Sequence, residues 1–170
     1  MMTVSATKSL ADMADMADGW AGASQAPRLS TDFLNRYSEA LMLLELALVD
    51  ESILDDLRAW RSVGYRAHFE TSQLRCAPSA LAAYERIDPA RRAAFEELCC
   101  AMTRLVTTVT ALLLDAPANL DLTSIVDVAS EALRKLIGRA TRFINANGSV
   151  DVGTFEDHHI QDEIDALLAG

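Results

Sequence analysis

The fold of this chain is decided by residues 88–115, DPARRAAFEELCCAMTRLVTTVTALLLD. The opening Asp88-Pro89 predicts a helix start, because an Asp side chain caps free backbone amides and Pro fits the first helical turn. The β-branched residues within 104–110 would also suit a strand, but the length of the segment and its periodicity favour a helix. Apolar side chains recur at alternating steps of three and four, as in a coiled-coil seam: Phe95, Leu98, Met102, Leu105, Val109 and Leu112.

A second long helix is predicted from Thr123 to about Ala146. Asn147-Gly148 follow it, and both residue types tolerate the left-handed conformation that ends a helix. Because the connection between the two helices is short, we expect an antiparallel hairpin, about 89–115 and 123–147, that is roughly 35–40 Å long. The second helix carries one broad apolar stripe, made of Ile125, Val128, Ala129, Ala132, Leu133, Leu136, Ile137, Ala140, Phe143 and Ile144.

Shorter helices are predicted ahead of the hairpin. The first begins at Ser30 or Thr31, either of which can cap it, and runs to about Val49. Its segment 41–49, LMLLELALV, is apolar nearly all the way round. Such a helix is either central in a bundle or shared between subunits.

The next helix should span residues 52–62, with Ser52 as its cap and Ile53, Leu57 and Trp60 facing inward. Gly64 marks a break, after which Tyr65, His68 and Phe69 continue for a turn or two. Pro78 suggests the start of one further short helix.

Composition supports an all-α helical bundle. The chain has 170 residues with 51% hydrophobic content and only 7 Gly and 4 Pro, enough to bury one core with few tight turns. We therefore expect three parts: a flexible or loosely ordered N-terminal arm over residues 1–30, a helical domain over 31–148, and an acidic linker with a C-terminal docking helix over 149–170.

Charge is concentrated at the carboxyl end. The net charge is −10; residues 27–150 hold 14 bases and 16 acids, whereas residues 151–170 hold six acids and no base. This balance argues against nucleic acid and against an anionic membrane, since both require a cationic surface. It favours a partner that is locally basic.

The cysteines and the amino-terminal sequence indicate the cellular compartment of the protein. Cys76, Cys99 and Cys100 cannot all pair, and adjacent cysteines rarely bridge, so a reducing environment is expected. Residues 1–26 show no leader pattern, and we find no stretch of about 20 apolar residues that would cross a bilayer. We expect a cytoplasmic, bacterial protein with no membrane contact.

Enzyme motifs give little support to catalysis. The chain has no phosphate-binding Gly-rich loop, Cys-x-x-Cys, His-Glu-x-x-His or nucleophile elbow. His158-His159 lie among acids, but adjacent side chains on a helix diverge and lack the spacing that shares a metal ion. We expect no catalytic residue, no cofactor and no metal site. His68 is expected to be a core or surface histidine, and Cys99-Cys100 to fill core volume.

The last ten residues, QDEIDALLAG, form a short acidic amphipathic segment. Ile164, Leu167 and Leu168 fall on one helical face. This segment resembles the N-terminal docking peptide of the FliM flagellar switch family and, more loosely, the C-terminal docking peptide of the CheZ phosphatase family, both of which bind the response regulator CheY. The resemblance implies docking onto a CheY-like receiver domain through Gln161, Asp162, Glu163, Ile164, Asp165, Leu167 and Leu168.

The order of a helical hairpin, a linker and a docking helix also resembles CheZ, whose hairpins pair into a four-helix bundle, so a homodimer through the long hairpin is compatible with the sequence. The CheZ family uses an Asp and a Gln four residues later to dephosphorylate its partner. Here Asp121 is followed at that interval by Ile125, and the Asp157 to Gln161 pair lies in the linker, which cannot hold catalytic geometry. The leading interpretation is a non-enzymatic signalling adaptor; the alternatives are a structural protein with a self-packed tail and a CheZ-like phosphatase.

Overall fold

A computed structural model describes residues 26–153 and confirms the all-α class. A short 3-10 turn, Thr31–Leu34, leads into the first helix. Six α-helices follow within the described residues: α1 (Asn35–Leu46), α2 (Ile53–Ala59), α3 (Tyr65–Glu70), α4 (Ala77–Glu85), α5 (Pro89–Leu114) and α6 (Leu122–Asn145).

The two long helices begin at capping aspartates. The Asp88 carboxylate accepts hydrogen bonds from the backbone amides of Ala90 and Arg91 at 3.0 and 3.2 Å, with Pro89 at the first position of α5. Asp121 does the same for α6, accepting from the amide of Ser124 at 3.1 Å. These carboxylates satisfy amides that have no partner inside the helix.

Two local predictions ahead of α5 need correction. The predicted first helix has a 3-10 start and ends at Leu46 rather than Val49. Ser52 precedes α2 but its side chain does not cap it; instead the Asp50 carboxylate accepts bonds from the Ser52 amide and hydroxyl at 2.9 and 2.7 Å. An Asp at this position forms a local side-chain turn that competes with helix continuation.

α5 and α6 pack along their apolar stripes. Phe95, near the start of α5, stacks on Phe143, near the end of α6, with ring centroids 4.8 Å apart. The start of α5 therefore lies beside the end of α6. The repeat predicted for α5 lies on the buried face from Phe95 to Val109, and only Leu112 is half-buried. Among the β-branched residues of α5, the side chains of Val106, Val109 and Thr110 are buried, so core packing supports the helix there.

The short helices cover one side of this pair. Trp60, just after α2, donates from its indole nitrogen to the Arg36 carbonyl at 3.1 Å, which ties α2 to α1. Tyr65 at the start of α3 stacks on Tyr84 of α4 at 4.8 Å. Buried aromatic contacts of this kind stabilise a core beyond the area they remove from water. The core thus joins all six helices of the described region.

The expectation that no stretch of the sequence is apolar enough to cross a bilayer is wrong for α5. α5 is long and apolar enough to cross a bilayer by length and composition alone, with a mean hydropathy of 1.5 over its most apolar window. A core helix of a soluble protein meets the same criterion. In α5, 39% of that window is buried, including the side chains of Leu98, Met102 and Val106.

Candidate functional site

The predicted docking residues lie outside the part of the chain that the structure describes: Gln161, Asp162, Glu163, Ile164, Asp165, Leu167 and Leu168. His158, His159 and Asp157 lie outside it as well. What the structure does describe is the segment from which this tail departs, residues 149–153.

This departure segment is attached to the body at two points. Arg91 of α5 pairs with Asp151 at 2.9 Å, and the guanidinium of Arg139 on α6 donates to the Val152 carbonyl at 2.9 Å. The Val152 side chain is buried. The tail therefore begins at a fixed place beside the start of α5.

Backbone conformation turns the chain back at this place. Asn147 and Gly148 both have positive φ, 53° and 72°, and the Gly148 amide bonds to the Phe143 carbonyl at 2.9 Å. A Cβ on Gly148 would meet the Ile87 side chain at 2.8 Å. The predicted Asn-Gly helix end thus places residues 149–153 alongside α6, where they reach Arg139.

A surface groove of about 750 Å³ adjoins the departure segment. Its lining includes Asp88, Arg91, Asp151 and Val152. The Arg91 and Asp151 charges are already paired, and the Asp88 carboxylate caps α5, so the described residues that line the groove form no cluster of unused polar groups. It has the size of a small-ligand site but lacks the convergent polar groups such sites use.

A smaller pocket of about 260 Å³ lies between α1, α3, α4 and α5. Its aromatic wall includes Tyr37, Tyr65 and Tyr84. The Tyr84 hydroxyl donates to the Glu96 carboxylate at 2.5 Å, and the Tyr37 hydroxyl donates to the Cys99 carbonyl at 3.2 Å. Burial raises the pKa of Tyr37 and of Tyr65 to about 12, so both remain neutral phenols.

The two adjacent cysteines differ in environment. Cys99 packs against the core, and burial raises the pKa of its thiol strongly, with Cys100 and Glu96 adding to the effect. Cys100 is exposed. The expected core-filling role therefore fits Cys99 and is wrong for Cys100. A thiol held neutral is a poor nucleophile, so Cys99 does not support a covalent mechanism.

His68 behaves as a partly buried aromatic ring. Its ring lies edge-on to Phe33 and Phe69, with centroids 5.8 and 4.7 Å apart. Its Nε2 atom is enclosed without a hydrogen-bond partner, and burial lowers its pKa. Arg36 lowers the pKa further and Asp32 opposes the shift. The rings that contact His68 are therefore aromatic, and the charged groups that act on its pKa are Asp32 and Arg36.

The position that carries the phosphatase glutamine in the CheZ family is filled by a core residue. Ile125 is 1% exposed on the inner face of α6. Asp121, four residues earlier, caps the helix, and its hydrogen bonds to Ser124 lower the pKa of its carboxyl. Ile125 therefore offers no amide that could orient a water, and the Asp121 carboxylate already accepts bonds from the Ser124 amide and hydroxyl.

Metal ligands do not assemble within residues 26–153: no group of three or more His, Cys, Asp or Glu side chains there could hold an ion. Comparison with protein-family models, with curated proteins and with solved structures finds no match for this chain.

The sequence analysis did not identify the anchoring residues Arg91 and Arg139. Their partners lie 60 and 13 residues away along the chain and share no local pattern with them.

Proposed function

We propose that this protein is a non-enzymatic signalling adaptor whose C-terminal peptide, residues 161–170, binds a CheY-like receiver domain or a related flagellar or signalling component. The observation that carries the proposal is the spacing of Ile164, Leu167 and Leu168 on one helical face among three acids. Three apolar anchors with flanking carboxylates suit a receiver surface with basic side chains around an apolar groove.

The departure point of the tail supports this proposal. Gly153 is exposed and follows two residues that are held by Arg91 and Arg139. The seven residues from 154 to 160 can extend by about 25 Å. This length is enough for a receiver to bind the terminal peptide without clashing with the helical body.

Affinity should be modest. A helix of about ten residues is marginal alone in water and orders on its partner, which costs part of the binding free energy. With three apolar anchors we expect a dissociation constant on the order of micromolar or weaker. Pairing of two chains would raise the apparent affinity by presenting two tails.

Capture of a receiver domain tests the proposal. The native chain is expected to capture a receiver carrying a phosphoryl mimic, and the Leu167→Asp, Leu168→Asp variant is expected to lose it. A matched control places the same two charges on the body at Leu74→Asp and Val63→Asp, 42% and 37% exposed in the native chain. Equal capture by all three proteins, or by none, rejects the docking function.

The first alternative is a structural protein whose tail packs on its own body. It is favoured by the exposed cations Lys135 and Arg142, which flank Arg139 on α6 at steps of four and three residues, since the tail is acidic; Lys135 already pairs with Glu131 at 3.3 Å. Limited proteolysis separates the two readings. Rapid cleavage beyond Gly153 in the isolated protein supports docking, whereas a protected tail supports self-packing.

The second alternative, a phosphatase, lacks the amide at the position of Ile125. Release of phosphate from a phosphorylated receiver is the direct test. We expect a rate equal to the receiver's own spontaneous rate, and the same rate with the Asp121→Asn variant. A faster release that this variant abolishes would favour the enzyme.

A further inference from the structure

The solvent face of α1 carries an apolar stripe that nothing in the described region covers. Met42, Leu46 and the following turn residue Val49 are 52%, 40% and 82% exposed. They lie at steps of four and three residues, and the Val49 amide bonds to the Leu46 carbonyl at 3.0 Å, which continues the helical spacing. The three side chains therefore form one continuous surface about two helical turns long.

Acids predominate in the segment of chain that carries this stripe. Residues 37–57 contain six acids and no Lys or Arg: Glu39, Glu45, Asp50, Glu51, Asp55 and Asp56. All six are exposed. Glu45 pairs with Arg134 of α6 and Asp55 with Arg58, which offsets part of this negative charge. The apolar stripe thus lies in a field that attracts cations.

This arrangement separates the stripe from the remaining exposed apolar residues. Leu74 and Val150 are each 42% exposed and Val63 is 37% exposed, fractions similar to that of Leu46, but no two of these three residues lie at helical spacing. Single exposed apolar side chains are ordinary on protein surfaces, whereas a continuous helical stripe is unusual. The opposite face of α1, with Ala40, Leu44 and Tyr37, is fully packed in the core, so the stripe is surplus to the needs of the fold.

We propose that the Met42, Leu46 and Val49 face of α1 is a second docking surface, which binds a basic amphipathic helix of a partner protein. Apolar side chains of that helix would pack between the three anchors, and its Lys or Arg side chains would reach the surrounding carboxylates. A second copy of this face is disfavoured as occupant, because a symmetric contact would bring the same six carboxylates together from both sides. An anionic membrane is disfavoured for the same reason of charge.

A synthetic peptide probe tests this surface. The probe is a fluorescent 14-residue helix of Leu and Lys with Leu at helical spacing, and its charge-reversed form has Glu in place of Lys. Anisotropy titration of the full chain is expected to show binding of the Lys peptide that weakens as salt is raised, and no binding of the Glu peptide. Equal binding of both peptides overturns the proposal.

Variants distinguish docking from simple charge attraction. Leu46→Asp removes an anchor but adds an acid, so it should weaken binding of the Lys peptide about tenfold if the stripe is the site, and strengthen it slightly if charge alone acts. Met42→Glu at a more exposed position should act in the same direction. Val150→Asp makes the same change of charge at 42% exposure and should leave binding unchanged.

Two alternatives remain to be tested: binding of the Lys peptide by the C-terminal tail, and contact of the stripe with a second copy of the chain. The Leu167→Asp, Leu168→Asp variant should bind the Lys peptide as the native chain does, because the surface does not depend on the tail; loss of binding in this variant alone overturns the assignment. Sedimentation of the native chain gives the last outcome. An oligomer that Leu46→Asp dissociates would assign the face to a second copy and overturn the proposed partner.

Discussion

Asn147 and Leu29 join the two ends of the described chain. The Asn147 side-chain carbonyl accepts from the Leu29 amide at 2.8 Å, and its side-chain amide donates to the neighbouring Pro27 carbonyl at 3.1 Å. Asn147 makes these bonds from a left-handed conformation, φ 53°, at the end of α6. One residue thus ends the last helix of the described region and holds the segment that enters the first.

Replacing Asn147 separates these two roles. Asn147→Gly loses both hydrogen bonds but suits the left-handed conformation, and we expect it to lower the free energy of unfolding by about 1–2 kcal/mol. Asn147→Ala loses the same bonds and adds a conformational cost of about 1 kcal/mol. Urea unfolding of both variants measures the difference. Equal stability of the two would show that the left-handed conformation is not maintained in solution.

The stacked pair Phe95 and Phe143 is predicted to be a centre of core stability. Each side chain is at most 1% exposed. Either Phe→Ala change should cost about 3–5 kcal/mol, because it removes apolar burial and leaves a cavity. A double-mutant cycle should give a coupling of about 0.5–1.5 kcal/mol for the ring contact. Additive losses would contradict direct packing of α5 on α6 at this end; if the double variant does not fold, Phe→Leu changes provide the same cycle.

The cap of α5 gives a third prediction. Asp88→Ala leaves the amides of Ala90 and Arg91 without their partner and should lower the free energy of unfolding by about 1 kcal/mol. Asp115→Ala, at the opposite end of the same helix, is the control. A negative charge near a helix carboxyl end is unfavourable, so the control should be neutral or slightly stabilising. Thermal or urea unfolding of both variants checks the asymmetry, and equal losses would contradict it.

His68 should make stability fall in mildly acidic solution. Burial holds its pKa below the usual 6.5, so the unfolded chain takes up a proton at a higher pH than the folded chain. The free energy of unfolding should therefore fall as the pH drops from about 7.5 to about 5.5. In His68→Leu this part of the decline should disappear. An unchanged pH profile in the variant would show that His68 takes up its proton equally well in the folded state.

Local sequence signals predicted the elements that depend on neighbours in the chain. The start of α5 is marked by Asp88-Pro89 and the end of α6 by Asn147-Gly148, in both cases through hydrogen bonds to nearby backbone groups. Both helix ends lie within two residues of the predicted positions. The all-α class followed from the same patterns. The predicted Ser52 cap was wrong because the Ser52 hydroxyl bonds to the Asp50 carboxylate and not to the amides of α2, a choice between two similar local bonds that propensity does not settle.

Tertiary features were not accessible in this way. The apolar circumference of α1 left two arrangements open, and the structure leaves Met42, Leu46 and Val49 exposed while the opposite face is packed. Which face of α1 is covered by α2 and α6 depends on the packing of the whole fold. The Arg139 bond to Val152 is likewise invisible to periodicity, although it determines where the predicted docking tail begins.

The most direct measurement is an NMR titration of the isotope-labelled full chain with a receiver domain carrying a phosphoryl mimic. Docking by the tail predicts that the amide signals of Ile164, Leu167 and Leu168 shift or broaden on addition of receiver, while those of α5 and α6 stay in place. If the receiver leaves the three tail signals untouched, or perturbs only the helical body, the tail is not the site through which this protein binds a receiver.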